Sequence, residues 1–390
     1  MAEYFLNQMR LVCALGCDED AVAERLFCGD VSAMQRGSRW LGPEFSRFGV
    51  VETPLPQVPA ALAEYDCRNN RLAQLVASGL EDALAAQIAR YGRHRIGVVM
   101  GTSTSGIASG EQHLEQGASA DGKNYRYRYQ QQMASLAEYV ARYLGLEGPR
   151  ITVSTACSSS ANAFASARRL LKSGVCDSVV VGGVDTLCGM TVTGFNGLGA
   201  LSAGLTRPFS GERDGINLGE AGAMFIMSRE PGPVRLCGVA ASSDAHHMSA
   251  PDPEGRGAEA AMRGALADAG LSASEIGYLN LHGTGTPQND AMEARAVIRV
   301  LGAHTLCSST KPMTGHTLGA AGALEAAFCW LALTRGQLPP HRSGGAYDDQ
   351  LPVVRLVGAG GAANAAATLR YAMSNSFAFG GSNCALILGI

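Results

Sequence analysis

Cys157 stands in the run Val153-Ser154-Thr155-Ala156-Cys157-Ser158-Ser159-Ser160, between a short β-branched stretch and an alanine-rich stretch of helical spacing. A sulfur at such a strand-to-helix junction meets the unpaired N–H groups of a helix start. The positive end of the helix dipole favours thiolate there, and the same N–H groups can hold an oxyanion. Those conditions suit a nucleophile that carries an acyl group as a thioester. An isolated cysteine is more often a small core residue, and the strand-to-helix setting brings the two readings level.

Three further stretches carry chemistry. Leu281-His282-Gly283-Thr284-Gly285-Thr286-Pro287 follows the strand-like run Ile276–Leu281, so its glycines bare the backbone where His282 can point into open space. Lys311-Pro312-Met313-Thr314-Gly315-His316 leads into the helix-forming run Leu318–Glu325, which puts His316 at a helix start. A histidine there stays neutral and can donate N–H to a developing enolate. Lys311 can supply a fixed positive charge, and Glu325, nine residues beyond His316, can pair with it in a dry site. The last stretch, Asn375-Ser376-Phe377-Ala378-Phe379-Gly380-Gly381-Ser382-Asn383, reads as an apolar-walled loop or an ordinary turn between strands.

The elements that must hold these residues are strands alternating with helices. The runs Ile96–Met100, Ile151–Val153, Ser178–Val181 and Ala385–Leu388 read as buried strands. Leu72–Ile88, Met133–Leu144, Ala161–Leu171, Ala258–Ala269 and Ala320–Leu333 read as helices. This alternation predicts an α/β fold with largely parallel sheets. The turn Arg229-Glu230-Pro231-Gly232-Pro233 divides the chain into halves 1–233 and 234–390, and no internal repeat is visible by eye. The segment from Gln337 to Tyr347 and the Gly/Ala stretch 358–367 read as loops.

Composition narrows the function. A net charge of −3 argues against a nucleic-acid binder, and 46% hydrophobic with 17% charged residues argues against disorder. The 49 glycines are clustered in GG and GxG pairs, which suits tight turns and close packing. Eleven scattered cysteines with no CxxC pair fit a reducing compartment and no zinc site. The early apolar run Leu11–Gly16 is too short for a signal core or a membrane span, so a soluble cytoplasmic protein is expected.

Together the stretches TACSSS, HGTGTP, KPMTGHTLGAAGALE and NSFAFGGSN, in that order, resemble the elongating β-ketoacyl-[acyl-carrier-protein] synthases of the thiolase superfamily. Arg207-Pro208-Phe209, Arg213-Asp214-Gly215 and Gly219-Glu220 add to the likeness, which runs from Gly16 onward. It implies a thiolase-like fold of two pseudo-symmetric αβαβα halves in a five-layered core, with the cysteine in the first half and both histidines in the second. It implies that Cys157 accepts an acyl chain and that His282 and His316 promote decarboxylation of a malonyl thioester. The carbanion then attacks the Cys157 thioester. Lys311 and Glu325 would support the histidines, the N–H groups of Cys157 and Phe379 would form the oxyanion hole, and Phe379 would gate the acyl pocket. Thr284 and Thr286 would bind the pantetheine arm, and Arg68, Arg71, Arg126, Arg128 and Arg207 would meet an acidic acyl carrier protein. The resemblance implies no metal and no cofactor beyond the carrier's phosphopantetheine. It also implies a dimer, either with itself or with a chain-length-factor-like paralogue.

Two histidines with one cysteine separate the chain from initiating ketosynthases, which pair one histidine with one asparagine. Cys384 leads into an apolar run and reads as core, not as a thiolase-type second cysteine. The chain departs from the family pattern at Ala378, where glycine is common, at Ala221, and in the N-terminal run FLNQMRLVCAL, which lacks the usual glycine-rich turn. The stretches Cys67–Arg71 and Met100–Gly106 resemble ketosynthases of aryl-polyene pigment clusters, with a general fatty-acid elongating synthase as the alternative. A cysteine hydrolase and a non-catalytic partner subunit are the readings from other classes.

Overall fold

The computed structural model describes residues 3–42, 46–117, 125–358 and 369–390; most of the Gly/Ala stretch 358–367 lies outside them. Strands β1 (Phe5–Val12), β2 (Met34–Arg36), β3 (Arg47–Gly49), β4 (Ile96–Gly101), β5 (Arg150–Val153), β6 (Ser178–Asp185), β7 (Leu218–Gly219) and β8 (Ala221–Ser228) come before the Arg229–Pro233 turn. Strands β9 (Val234–Ser243), β10 (Tyr278–Asn280), β11 (Leu306–Ser308), β12 (Arg355–Leu356), β13 (Tyr371–Phe377) and β14 (Ser382–Gly389) follow it.

Eleven of these strands form one sheet in the order β12-β11-β10-β13-β14-β9-β1-β8-β6-β4-β5. Read outward from its centre, β1-β8-β6-β4-β5 matches β9-β14-β13-β10-β11. Each set pairs antiparallel for its first two steps and parallel for the next two. Strands β1 and β9 join the sets through a short antiparallel pairing at Phe5–Arg235 and Leu6–Val234. The repeat that the eye misses in the sequence is therefore present in the topology. A shared strand order requires only matching burial patterns, not matching residues.

Both faces of each set are buried, which explains the near-continuous apolar strand runs. Along β6, Val179 and Val181 face one core while Val180 and Val184 face another. The first core holds two helices, Ser159–Lys172 and Ala321–Arg335, through Phe164, Leu171, Leu324 and Phe328. Helices Arg68–Ser78 and Ser135–Tyr143 cover the outer face of the first set. Helices Arg256–Ala269 and Pro287–Leu301 cover the outer face of the second. The layers run helix, sheet, helix, sheet, helix: the thiolase-like architecture.

The middle helices explain the alanine and glycine content. Every residue from Ala321 to Leu333 is buried, so this helix has no polar face. A Cβ on Gly322 would lie 2.6 Å from the Ala161 amide nitrogen, so only glycine lets the two helices touch there.

Two expectations about local structure change. The run Leu72–Ile88 is not one helix but two, Arg68–Ser78 and Glu81–Tyr91, broken at Gly79-Leu80. A Cβ on Gly79 would sit 2.8 Å from the Arg10 side chain, so this break lets the chain pass close to β1. The N-terminal run FLNQMRLVCAL supplies β1, one of the two strands that join at the centre of the sheet. Its polar residues Asn7, Gln8 and Arg10 are half-buried, which disguises a strand among apolar ones.

Gly322→Ala should destabilise the protein by about 1–3 kcal/mol through overpacking, although alanine is the better helix former by about 1 kcal/mol. Chemical denaturation of the two proteins tests it; an unchanged or raised midpoint would show that the helices can separate cheaply.

Candidate active site

Cys157 sits on a tight elbow between β5 and the helix Ser159–Lys172. Ala156 holds a left-handed φ of 49°, an uncommon state for a residue with a side chain. Three hydroxyl bonds fix the elbow: Ser158 Oγ donates to Thr155 O (2.8 Å), Ser159 Oγ donates to Ala156 O (2.6 Å), and Thr155 N–H donates to Ser159 Oγ (2.9 Å). Gly101 backs the elbow closely, since a Cβ there would lie 2.3 Å from the Ser160 amide nitrogen.

The thiol is buried, and burial pushes it up to about 12 against the lowering influence of Lys311 and of the Phe379 N–H. This corrects the thiolate expected from the helix start. Desolvation by burial is the largest influence on the sulfur and favours its protonated form.

His282 follows β10 on a loop whose backbone is held from outside. Its N–H and that of Gly283 donate to the buried Glu293 carboxylate at 2.8 and 2.7 Å. Gly285, at a φ of 80°, has no room for a Cβ, which would lie 2.2 Å from Thr206 Oγ1. His316 is not at a helix start: it lies between the short helix Lys311–Thr314 and the turn Leu318–Ala320 that precedes the helix Ala321–Arg335. Its amide donates to Asn217 O at 2.6 Å.

The two histidines and the cysteine converge. His316 Nε2 lies 2.9 Å from Cys157 Sγ, and the His282 and His316 rings meet edge to face at 5.3 Å. Burial, then the Lys311 charge, holds the His316 imidazole well below its usual range. The same two causes, with His316 third, lower His282. Neutrality therefore comes from desolvation and not from a helix end. Neither Nδ1 has a partner among the described residues. An unpaired buried N–H is the rarer defect, which assigns the hydrogen to Nε2 on both rings.

Lys311 Nζ and Glu325 Oε1 pair at 2.5 Å, with both side chains almost fully buried. Burial raises the Glu325 carboxyl, and Lys311 pulls it back down. A cavity of about 440 Å3 opens onto Cys157, His282, His316, Thr284, Thr286 and Phe379. Thr286 caps the helix Pro287–Leu301, and its hydroxyl lies 3.1 Å from that of Thr284. The Phe379 ring packs against Phe195 at 5.5 Å.

The five arginines do not share one environment. Arg68 Nε donates to the buried Glu220 at 3.0 Å, and Arg71 grips Asp66 with two bonds of 2.5 and 2.6 Å. Arg207 pairs with Glu212, whereas Arg126 and Arg128 are exposed. Cys384 is wholly buried in β14.

Sequence reasoning missed Glu293, Asp290 and Asp185, and also His247, which lines the cavity. Glu293 and Asp290 stand on one face of the helix after HGTGTP, and that spacing is the only signal for them. Burial raises Glu293 to about 7 and Asp290 to about 6. Among the described residues no group of three or more His, Cys, Asp or Glu is placed to hold a metal ion. No helix among them is long and apolar enough to cross a membrane.

The chain belongs to the beta-ketoacyl synthase family: the N-terminal domain model matches residues 63–231 and the C-terminal domain model matches residues 234–344. It is a β-ketoacyl synthase, and its reaction is the decarboxylative condensation of that family. Nodulation protein E of Rhizobium meliloti is 37% identical over 305 residues, 75% of each chain. 3-Oxoacyl-[acyl-carrier-protein] synthase 2 of Vibrio cholerae is 37% identical over 269 residues, 62% of this chain and 63% of that protein. Among solved structures, the ketosynthase ApeO in complex with its chain length factor ApeC from Xenorhabdus doucetiae matches 100% of this chain and 98% of its own, with a TM-score of 0.93 and 45% identity.

Alkylation of Cys157 by iodoacetamide, read by peptide mass spectrometry, should rise about tenfold per pH unit between roughly pH 7 and 10 without levelling. Lys311→Met should move that profile further up, because the lost cation favoured thiolate. A plateau below about pH 9 in the wild type would show that the sulfur is better solvated than its burial implies.

Proposed function

We propose that Cys157, His282 and His316 carry out the condensation, with the acyl chain held on Cys157. The observation that carries this reading is the His316 Nε2 to Cys157 Sγ contact of 2.9 Å beside the His282 ring, at one end of a cavity. Cys157 attacks the incoming thioester, its proton goes to the departing carrier thiol, and the His316 Nε2–H donates to the sulfur as charge develops on it. A malonyl thioester then binds with its carbonyl oxygen against the two Nε2–H groups. Loss of carbon dioxide leaves an enolate at that oxygen, and its carbon displaces Cys157 as thiolate.

Neutral donors suit this step because charge builds on the oxygen only in the transition state. Lys311 and Glu325 hold the dry site around the rings, and the N–H groups of Cys157 and Phe379 bind the tetrahedral oxyanion. Thr284 and Thr286, on the cavity wall, bind the pantetheine arm. That arm arrives on an acyl carrier protein, and the chemistry needs no further cofactor. Arg126 and Arg128 are the strongest candidates to meet the carrier's acidic surface; Arg207 is partly engaged, and Arg68 and Arg71 already hold carboxylates of this chain. The halves 1–233 and 234–390 each bring one side of the centre.

The whole-chain likeness to a ketosynthase solved with its chain length factor favours an aryl-polyene type enzyme that pairs with a paralogue. The edge strand β5, half-buried at Ile151–Val153, is where a partner chain would add. A general fatty-acid elongating synthase is the second reading, favoured by the 37% identity to the Vibrio cholerae enzyme. Eleven free thiols fit a cytoplasmic setting.

Cys157→Ala should abolish condensation, in the presence of any partner; full activity of the complex would assign this chain a non-catalytic place. His282→Ala should still acylate Cys157 but lose about 10²–10³ in malonyl-carrier decarboxylation. His316→Ala, touching the sulfur, should slow both half-reactions. Equal losses for the two variants in both assays would refute this division. Product mass spectrometry with aryl-primed and alkyl-primed carriers decides between the two subclasses.

A further inference from the structure

Asp185 ends β6 in the wall behind the centre, and no step above uses it. Its carboxylate is fully buried and accepts hydrogen bonds from six donors. Thr102 Oγ1 (2.5 Å), Thr104 N–H (3.0 Å) and Thr104 Oγ1 (2.9 Å) donate to Oδ1. Ser103 Oγ (2.5 Å) and Gly319 N–H (2.6 Å) donate to Oδ2, and Ser103 N–H is shared between both oxygens. Four residues on two segments thus meet on one side chain: the loop after β4 and the turn just beyond His316.

That convergence has two marks of constraint. Ser105 and Leu318, flanking the clamp on either segment, hold left-handed φ angles of 46° and 50°. Such backbone persists only where its surroundings over-determine it. Gly319 admits no side chain, for a Cβ would lie 2.6 Å from the Ser103 amide nitrogen and 2.7 Å from Asp185 Oδ2. Both carboxylate oxygens receive a backbone N–H. An amide would therefore set its own NH2 against a backbone N–H whichever way it turned. Only an acceptor on both sides satisfies the site.

We propose that Asp185 is a positioning residue for condensation: its carboxylate ties the loop after β4 to the turn after His316 and so holds the imidazole on Cys157. This rests on the catalytic reading above. The charge of Asp185 also reaches the sulfur and favours its protonated form. The other groups facing the sulfur are Lys311, Glu325, His282 and His316, all unchanged by substitution at 185.

Asp185→Asn should lower kcat for malonyl-carrier decarboxylation by about 10–10²-fold with KM within about twofold. It should also shift the Cys157 alkylation profile to lower pH, which a merely structural role would not do. Ser103→Ala keeps the charge but loses the Oγ bonds to Asp185 and from Gly319 N–H (3.2 Å). It should lower kcat while leaving the alkylation profile in place. A folded Asp185→Asn enzyme with wild-type kcat and alkylation profile overturns the proposal. Should that variant not fold, a wild-type kcat in Ser103→Ala overturns it instead. A wild-type enzyme that does not decarboxylate malonyl carrier protein fails the catalytic reading itself, a separate result.

Discussion

Burial acts in opposite directions on sulfur and nitrogen at Cys157, His282 and His316, and it leaves all three uncharged. Desolvation penalises thiolate and imidazolium alike, so the thiol rises to about 12 while both imidazoles fall. Lys311 works against the first shift and with the second, since one cation favours the thiolate and disfavours two more cations. Its own charge is tolerable only because Glu325 is buried beside it. The neutral centre and the ion pair behind it are thus one electrostatic arrangement. Removing either member of the pair would leave a lone buried charge next to the reacting atoms.

A protonated resting thiol is compatible with nucleophilic catalysis because His316 Nε2–H already stands where it can donate to the sulfur as charge develops there. The sulfur needs to be anionic only while it attacks or leaves, and at those moments it has the Lys311 charge and the Phe379 N–H beside it. Holding it neutral between turnovers limits stray reaction with solutes. The same burial would strengthen two N–H donors toward an enolate forming between them. Water in the cavity would weaken both effects together.

The residues proposed for the centre were legible because chemistry limits their types. Cys157, His282, His316, Lys311 and Glu325 stand in short motifs, and the structure gathers all five. The physical cause of neutral imidazoles was misread, since a local run cannot show that His316 is five residues short of its helix or how deeply its ring is buried. Glu293 and Asp185 were illegible for a different reason. Each bonds in part to the backbone N–H of a glycine, Gly283 for Glu293 and Gly319 for Asp185, and a glycine has no side chain to betray the contact. Arg68 shows the converse error: a surface-looking arginine is engaged by Glu220, 152 residues away in the chain. The strand order repeats without repeating residues, so composition and spacing could predict two α/β halves but not their symmetry.

That symmetry explains where the centre lies. Cys157 follows β5 and precedes one middle helix; His316 follows β11, the matching strand, and precedes the other. The two middle helices touch where Gly322 meets Ala161, near the start of each, so the residues just ahead of both helices are brought together. Neither half alone could form the contact between sulfur and imidazole. The packing that excludes water from the core of the molecule is therefore the same packing that assembles the reacting groups. It joins stability and catalysis through a glycine too small to keep the helices apart.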